Sequence, residues 1–492
     1  MGFEFLAASP IVSISIFAII AIIFDARKEN TNFGFNFAML GLVVSAIFGI
    51  YTLSIPQSDF SAIDHTVSLT RNTITFGGYA AFFDILFTVS AIFTLLAAKP
   101  YFEKFNKVST EFYNMILYAV AGMMLISHSN HMLTTFIGIE IMSISFYIMA
   151  GYFRFNIRSV EASLKYFLLG AFATGFLLYG IAMIYGATGS FSFPDIYNAI
   201  NMGELHSVTY LNLGIALMIV GLGFKVAAFP FHNWAPDVYS GSPTVITAFM
   251  STSGKAAALI AFILVAKTIM PSISEIDIVK DTVITSQTLI AILAALTMLV
   301  GNISAVVQKD VKRMLAFSSV AHAGYLLMGI VANNEKGWEG IMFYITAYTF
   351  MQIGAFFIVS IFEKENYKNM GFKDYAGLST KHPIMAFIMA LFMFSLAGIP
   401  PMAGFFGKWT LFNAAIDAGF TWLTLVAVIS SVISMYFYIG LVKTMYFTEK
   451  TDDVDMPSNY GIAKIPIYIS TICIIILGLR PSIIEDIIKG FM

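Results

Sequence analysis

Over 492 residues the chain is 58% hydrophobic and 11% charged, with a mean hydropathy of +0.81. Soluble domains carry about 25% charge, so an ordinary wetted surface is excluded and lipid is the natural solvent. A net charge of −2 gives no electrostatic case for a nucleic-acid or other acidic partner, and the single cysteine, Cys473 in an apolar run, excludes an internal disulfide or a cysteine-based metal site.

A bilayer core of about 30 Å takes about 20 apolar residues per helix, and such runs recur from end to end. The first, 6–24, is preceded by Glu4 and by no Lys or Arg. It lacks the basic head of a cleaved signal peptide and reads as a retained span. Runs follow at 35–55, 77–98, 112–130, 132–152, 160–185 and 210–231, then at 245–265, 289–307, 314–331 and 341–361. The last are 383–415, 420–445 and 465–479. The expected fold is an all-α integral membrane protein of about fourteen spans. Loops after spans 1, 3, 5, 9, 11 and 13 hold sixteen Lys and Arg, against six in the opposite loops and tail. The positive-inside rule then places both termini on the non-cytoplasmic side.

Five basic residues, Lys165, Lys225, Lys255, Lys408 and Lys443, fall inside the spans, with Glu140 on the acidic side. A charge at the bilayer centre costs at least ~2.5–3.5 kcal/mol. Glu140 lies roughly 12 Å into span 5 at 1.5 Å per residue, with Ser143 and Tyr147 on the same face. Lys165 lies close to the cytoplasmic end of span 6, where snorkelling is the competing explanation. Lys225 precedes Pro230, and broken helices are tolerated where they line a cavity or site. Lys255 is roughly 15 Å deep in span 8, too deep to snorkel. Lys408 follows the break at Pro400-Pro401, which divides an overlong run into two half-helices. Lys443, at a span end, reads as a snorkelling anchor. For the deep residues the alternative is a structural ion pair.

Two polar stripes cross apolar helices: Ser318, His322 and Tyr325 in span 10, and Tyr344, Tyr348 and Gln352 in span 11. They suit helix–helix hydrogen bonding, or a water chain between Lys255 and Lys408. One carboxylate cannot neutralise four buried lysines, and desolvation and like-charge repulsion both favour the neutral amine. A row of lysines able to exchange protons, opposite Glu140, describes a proton relay. A closed cation site would favour carboxylate and carbonyl oxygens. No phosphate-binding glycine loop or iron–sulfur cysteine set is present, so no redox centre or other cofactor is expected on this chain.

Three long motifs carry a resemblance. They are Phe224-Lys225 with Pro230-Phe231-His232-Asn233-Trp234-Ala235-Pro236-Asp237-Val238-Tyr239, Asp310-Val311-Lys312-Arg313-Met314-Leu315-Ala316-Phe317-Ser318-Ser319, and Gly398-Ile399-Pro400-Pro401-Met402-Ala403-Gly404-Phe405-Phe406-Gly407-Lys408. Over about residues 113–446 the chain resembles the antiporter-like membrane subunits of respiratory complex I. Lysine at 408, where the L and M branches usually carry an acid, and an end soon after Leu479, where L carries a lateral helix, favour the subunit N branch. The resemblance implies an N-terminal segment (1–111), two inverted five-helix repeats (112–270 and 286–447), each with a broken helix, and a C-terminal span (448–492). It implies a Glu140–Lys225 charge pair modulated by Lys165, a bridging Lys255, and Lys408 as terminal donor; His322, a candidate from the polar stripe of span 10, falls between the last two. It implies neighbouring antiporter-like and small membrane subunits as partners, lipid around them, and a bacterial inner-membrane location. NADH, flavin, iron–sulfur clusters and quinone belong in other subunits. A multisubunit Na⁺/H⁺ antiporter subunit is the rival, and an inert spacer the third reading.

Overall fold

The computed structural model describes residues 7–25, 31–53, 73–105, 110–270, 277–364, 370–449 and 461–490. Leu6, and the loop charges Arg27, Lys28, Arg71, Lys107, Lys368 and Lys450, lie outside the described residues. Among the described residues the regular structure is helical, and pairing between extended segments is confined to three isolated bridges. In chain order the helices are α1 (Ser9–Asp25), α2 (Thr31–Leu53), α3 (Gly78–Lys104), α4 (Thr110–Ser127), α5 (Met132–Ala150), α6 (Ile157–Thr188) and α7 (Phe193–Met202). Next come α8 (Val208–Val226), α9 (Trp234–Gly241), α10 (Thr244–Phe249), α11 (Lys255–Ile269), α12 (Asp277–Val306), α13 (Val311–Ala332) and α14 (Glu335–Phe362). The last are α15 (Leu378–Lys381), α16 (Pro383–Ala397), α17 (Ala403–Asp417), α18 (Thr421–Phe447), α19 (Lys464–Leu479) and α20 (Ser482–Lys489).

Ten helices among the described residues are long and apolar enough to cross a membrane, or eleven if α19 and α20, bent by 81°, count as one. Two further apolar helices, Ser9–Ile23 and Pro383–Ala397, are shorter. Polar residues set several helix starts. The side chains of Asn156, Ser207, Asp310 and Asn334 each accept a backbone N–H of the first turn, which satisfies donors that a helix leaves orphaned.

Helices α13 and α14 are buried round almost their whole circumference and form the axis of the bundle. At the periphery α2, α6 and α18 turn large apolar side chains outward, among them Ile47, Phe172 and Val432. A soluble protein would hide these, and a bilayer accepts them. Inside, small residues let backbones touch. A Cβ on Gly122 of α4 would lie 2.6 Å from the Met142 nitrogen of α5, and one on Gly138 would lie 2.8 Å from the Gly122 carbonyl. This contact fixes the height of α5, and with it Glu140.

The helices are interrupted at three places close to buried lysines. Helix α8 ends in left-handed Ala227 (φ +60°), and α16 ends in left-handed Gly398 (φ +86°). At both ends the backbone folds back in one pattern: Ala227 and Ala228 donate to Phe224 and Gly223, and Gly398 and Ile399 donate to Ser395 and Phe394. A cis prolyl bond follows in each, Phe229–Pro230 and Pro400–Pro401. The third interruption is a π turn, Met250–Gly254, between α10 and α11.

Gly122→Leu is expected to push α4 from α5 and cost about 1–3 kcal/mol as overpacking. Gly175→Leu, which meets nothing within 4 Å, is expected to be neutral. The thermal midpoints of the two detergent-solubilised variants check this.

Candidate functional site

The three lysines expected deepest are all buried: Lys225 is 7% exposed, Lys255 2% and Lys408 3%; Lys312, read from the sequence as a loop charge, is buried as well, at 1%. Each of the first three sits at a helix interruption, where backbone or hydroxyl oxygens are free to receive its amine.

Lys225 occupies the last turn of α8, at the negative end of that half-helix. Its Nζ donates to Ser143 Oγ at 2.7 Å. Ser143 lies one turn from Glu140 on α5, and Glu140 in turn accepts a hydrogen bond from Thr174 of α6 at 2.9 Å. No ion pair of 4 Å or less joins Glu140 to Lys225 among the described residues, yet the carboxylate acts electrostatically on the amine. Tyr147, two turns from Glu140, is buried with its hydroxyl unpartnered and packs against Gly170, where a Cβ would lie 2.1 Å from that hydroxyl. The break beyond Lys225 is held from two sides. Trp234 Nε1 donates to the Phe224 carbonyl at 3.0 Å, and the Phe229 amide donates to Thr297 Oγ1 of α12 at 2.9 Å.

Lys255 opens α11 immediately after the π turn. π turns are frequent at functional sites because the extra residue re-aims the next side chain. Here the Nζ donates to both the carbonyl and the hydroxyl of Ser319 on α13, with the Tyr348 ring 5.9 Å away.

Lys408 lies in the second half-helix, α17, and reaches back across its break. Its Nζ donates to the carbonyls of Leu396 and Ala397, each at 3.1 Å, and to Ser431 Oγ at 3.0 Å. It thus caps the negative end of α16 and stands 4.8 Å from the centre of the Tyr325 ring. Gly398 makes room, since a Cβ there would crowd Lys408 Nζ at 3.3 Å.

Between Lys255 and Lys408 the polar stripes of α13 and α14 face one another. His322 Nδ1 is 2.6 Å from the Tyr344 hydroxyl and its Nε2 is 3.1 Å from that of Tyr438 on α18. Tyr438 is 2.5 Å from Ser318 Oγ, and Tyr325 accepts from Asn302 at 3.2 Å. Gln352 donates to the Leu315 carbonyl at 3.1 Å, while its buried Oε1 has no partner. His322 feels the charge of both lysines. A phenol, an imidazole and a hydroxyl all donate and accept, so this string can hand protons along.

Lys165 is placed elsewhere. Its amine is 2.8 Å from Glu161 and 3.0 Å from Asp237, and Arg313 holds the other oxygen of Asp237 at 2.8 Å. These groups line a crevice of about 330 Å³ with Arg158, Asp310 and Lys312. Its four cations make this the basic end of the bundle. Lys165 therefore reaches the Lys225 region through Asp237, in the segment just past the α8 break, and makes no hydrogen bond to Glu140 or Lys225. Lys443 is exposed.

Two buried carboxylates escaped the sequence reading, which counted Glu140 alone. Asp84 of α3 is fully buried and lies 2.7 Å from His128 Nε2, while His128 Nδ1 meets the Thr75 carbonyl at 2.8 Å. Burial alone would push the His128 imidazole down, but Asp84 and the Thr75 carbonyl outweigh it and leave the group above its ordinary value. Asp84 falls inside the run at 77–98, so the argument applied to Glu140 would have found it. Glu363 is 1% exposed at the end of α14. It stands between Phe362 and Lys364 and reads as a loop charge, so only the fold reveals its burial.

The family described as NADH:quinone oxidoreductase/Mrp antiporter, TM, matches residues 129–434. The chain is similar to "NADH-quinone oxidoreductase subunit N 1" of Chloroherpeton thalassium, 40% identical over 98% of this chain and 97% of that one. Among solved structures it resembles a chain of respiratory complex I from Thermus thermophilus, at 30% identity and a TM-score of 0.80 over 97% of this chain and 98% of that one. It shares the fold of a chain of the Mrp complex from a Dietzia species, at 20% identity and a TM-score of 0.84 over 99% and 96%.

The break geometry carries a test of its own. Thr297→Val removes the acceptor of the Phe229 amide and leaves a half-buried N–H unsatisfied, at a cost of about 1 kcal/mol. A fall in thermal midpoint relative to Thr471→Val, whose hydroxyl bonds only its own helix at Ile467, is the expected result.

Proposed function

Because the chain belongs to the NADH:quinone oxidoreductase/Mrp antiporter transmembrane family, we propose that it is the subunit-N-type, proton-translocating membrane subunit of an NADH:quinone oxidoreductase. The observation that carries the mechanism is the seating of the three deep lysines. Lys225, Lys255 and Lys408 rest on serine hydroxyls and backbone carbonyls, and among the described residues none of them touches a carboxylate. An ammonium and a neutral amine can both occupy such seats, because each still has an N–H to donate. Loss of the proton therefore does not unmake the site, whereas an amine locked to a carboxylate would resist losing it.

In this reading the basic end is cytoplasmic and both termini face away from it. A proton enters near Lys225, passes to Lys255, crosses by Ser318, Tyr438, His322 and Tyr344, and leaves past Lys408. The Glu140–Lys225 pair opens and closes. With the carboxylate held by Thr174 and the amine by Ser143, the pair stands open. Closing it raises the amine's proton affinity, and opening it releases the proton toward Lys255. Lys165 tunes this step through Asp237 and the chain that follows the break. Fourteen spans result when Ser9–Asp25, Thr110–Ser127, Lys464–Leu479 and the two halves Pro383–Ala397 and Ala403–Asp417, taken as one, join the ten long helices. The matching backbone at Ala227 and Gly398 supports two related repeats, inverted in this reading. Electrons move through flavin, iron–sulfur clusters and quinone in other subunits, and the partners are the neighbouring antiporter-like and small membrane subunits of a bacterial inner-membrane complex.

A Na⁺/H⁺ antiporter role would call for a cluster of oxygen ligands with carboxylates among them. Among the described residues Glu140 stands apart from Asp84 and Glu363, with separate partners for each.

Lys225→Ala and Glu140→Ala are each expected to lower proton-coupled quinone reduction in the assembled complex severalfold or more, up to the roughly 10²–10⁴-fold that a positioned proton-transfer group contributes. Wild-type coupled activity in both variants, with normal assembly, would sink this mechanism.

A further inference from the structure

The relay through Lys225, Lys255 and Lys408 leaves one buried acid at the basic end unused. Glu363 closes α14 there, where four elements meet. Its Oε2 accepts from the Tyr101 hydroxyl of α3 at 2.9 Å, and its backbone carbonyl accepts from Lys104 of the same helix. Lys312 of α13 acts on it electrostatically and donates to the Ser242 carbonyl at 2.6 Å. The Tyr101 hydroxyl also accepts the Thr244 amide at 3.3 Å, which ties the carboxylate to the first residue of α10. Lys364 beside it and Tyr375 are the other titratable groups in range.

From Thr244 a polar face runs to the central lysine. Thr244, Thr247, Ser251 and Lys255 follow at intervals of three, four and four, which is one face of a helix. All three hydroxyl residues are fully buried. The Thr244 hydroxyl acts directly on the Glu363 carboxyl, and Ser253 Oγ in the π turn just before Lys255 has no hydrogen-bond partner. Buried polar atoms are nearly always paired by protein or by ordered water. The rise from Thr244 to Lys255 is roughly 16 Å at 1.5 Å per residue, a distance that a few hydroxyls and intervening waters span. The other end is close to solvent, since Lys312, on the wall of the 330 Å³ crevice, also acts on Glu363.

We infer that Glu363 is the proton-carrying acid of a second cytoplasmic entrance, which delivers to Lys255 along the hydroxyl face of α10 without passing Lys225. The inference rests on the proton-relay reading of the deep lysines. Glu363 takes a proton from the crevice side. The carboxylic acid gives it to the nearest hydroxyl or water, each carrier passes on its own, and the last gives one to the neutral Lys255 amine. Glu363 is then a carboxylate again and Lys255 an ammonium, so proton and charge balance. Burial pushes the Glu363 carboxyl above its usual value, against the pull of Lys312, Thr244, Tyr101 and Lys104, so the acid form persists to higher pH than in water. Its occupancy falls as pH rises through that value, and delivery by this route falls with it.

The test uses the assembled complex in sealed vesicles and reads protons moved per NADH oxidised across pH. Glu363→Gln keeps an oxygen for Tyr101 but cannot carry a proton. It is expected to lower the proton yield, to remove the alkaline fall attributed to this acid, and to lower the yield of Lys225→Ala further when combined with it. Glu363→Asp is expected to restore the alkaline limb, which a merely structural carboxylate would not do. Ser251→Ala interrupts the face while leaving the acid intact, and its hydroxyl bonds only the Ala248 carbonyl of its own turn. It is expected to lower the yield as well, and it decides the question alone if Glu363→Gln fails to assemble. Wild-type yield and pH profile in Ser251→Ala, or in Glu363→Gln, overturn the second entrance. If Lys225→Ala and Glu140→Ala also keep wild-type yield, the relay reading itself falls; if they lose it, only the second entrance does.

Discussion

An ammonium inside lipid must find oxygen, and a regular helix has none to spare because its carbonyls are already bonded to its own amides. The structure answers by interrupting helices where it buries Lys225, Lys255 and Lys408. At α16 the last two carbonyls of the half-helix, Leu396 and Ala397, receive Lys408 from the far side of the break. At α8 the lysine sits on the last turn itself and reaches sideways to Ser143. At α11 a π turn delivers Lys255 to Ser319. Take away the interruptions and the same lysines would be charges without seats.

The interruptions in turn depend on packing that looks unrelated to charge. The α8 break is anchored by Trp234 and Thr297 from outside it. The α16 break needs Gly398, and α17 can start beside it only because Gly404 has no Cβ, which would stand 1.9 Å from the Ser395 carbonyl. The axis helices α13 and α14 then carry the groups that join the lysines, His322 above all, with a phenol on each ring nitrogen. Neutral seats and bifunctional linkers make a path that tolerates both protonation states of every member. That property separates a relay from a set of structural ion pairs.

Much of this could be read from the residues. A charge inside a twenty-residue apolar run is costly wherever the helix ends up, so Lys225, Lys255, Lys408 and Glu140 stood out without coordinates. So did the breaks, since Pro230 and Pro400-Pro401 cannot continue a helix. The spacing of Ser318, His322 and Tyr325 fixed a face, but not which helix it would meet; that Tyr438 of α18 supplies the second phenol depends on tertiary packing. Lys165 shows the limit on the other side. Its place in the span was visible, but its partner Asp237 comes from beyond the α8 break. Glu363 was invisible for a similar reason: it ends a helix among charged neighbours, and only the convergence of α3, α10 and α13 buries it. Asp84 was legible by the rule used for Glu140.

The central claim is that these lysines exchange protons rather than merely carry charge. Lys255→Arg tests it most directly, because a guanidinium keeps the positive charge and its hydrogen bonds to oxygen but does not lose its proton in proteins. The measurement is protons translocated per NADH oxidised by the assembled complex, beside the rate of quinone reduction. The account predicts that Lys255→Arg loses proton yield although charge is conserved. A wild-type yield from the arginine variant would contradict it and return Lys255 to a structural role.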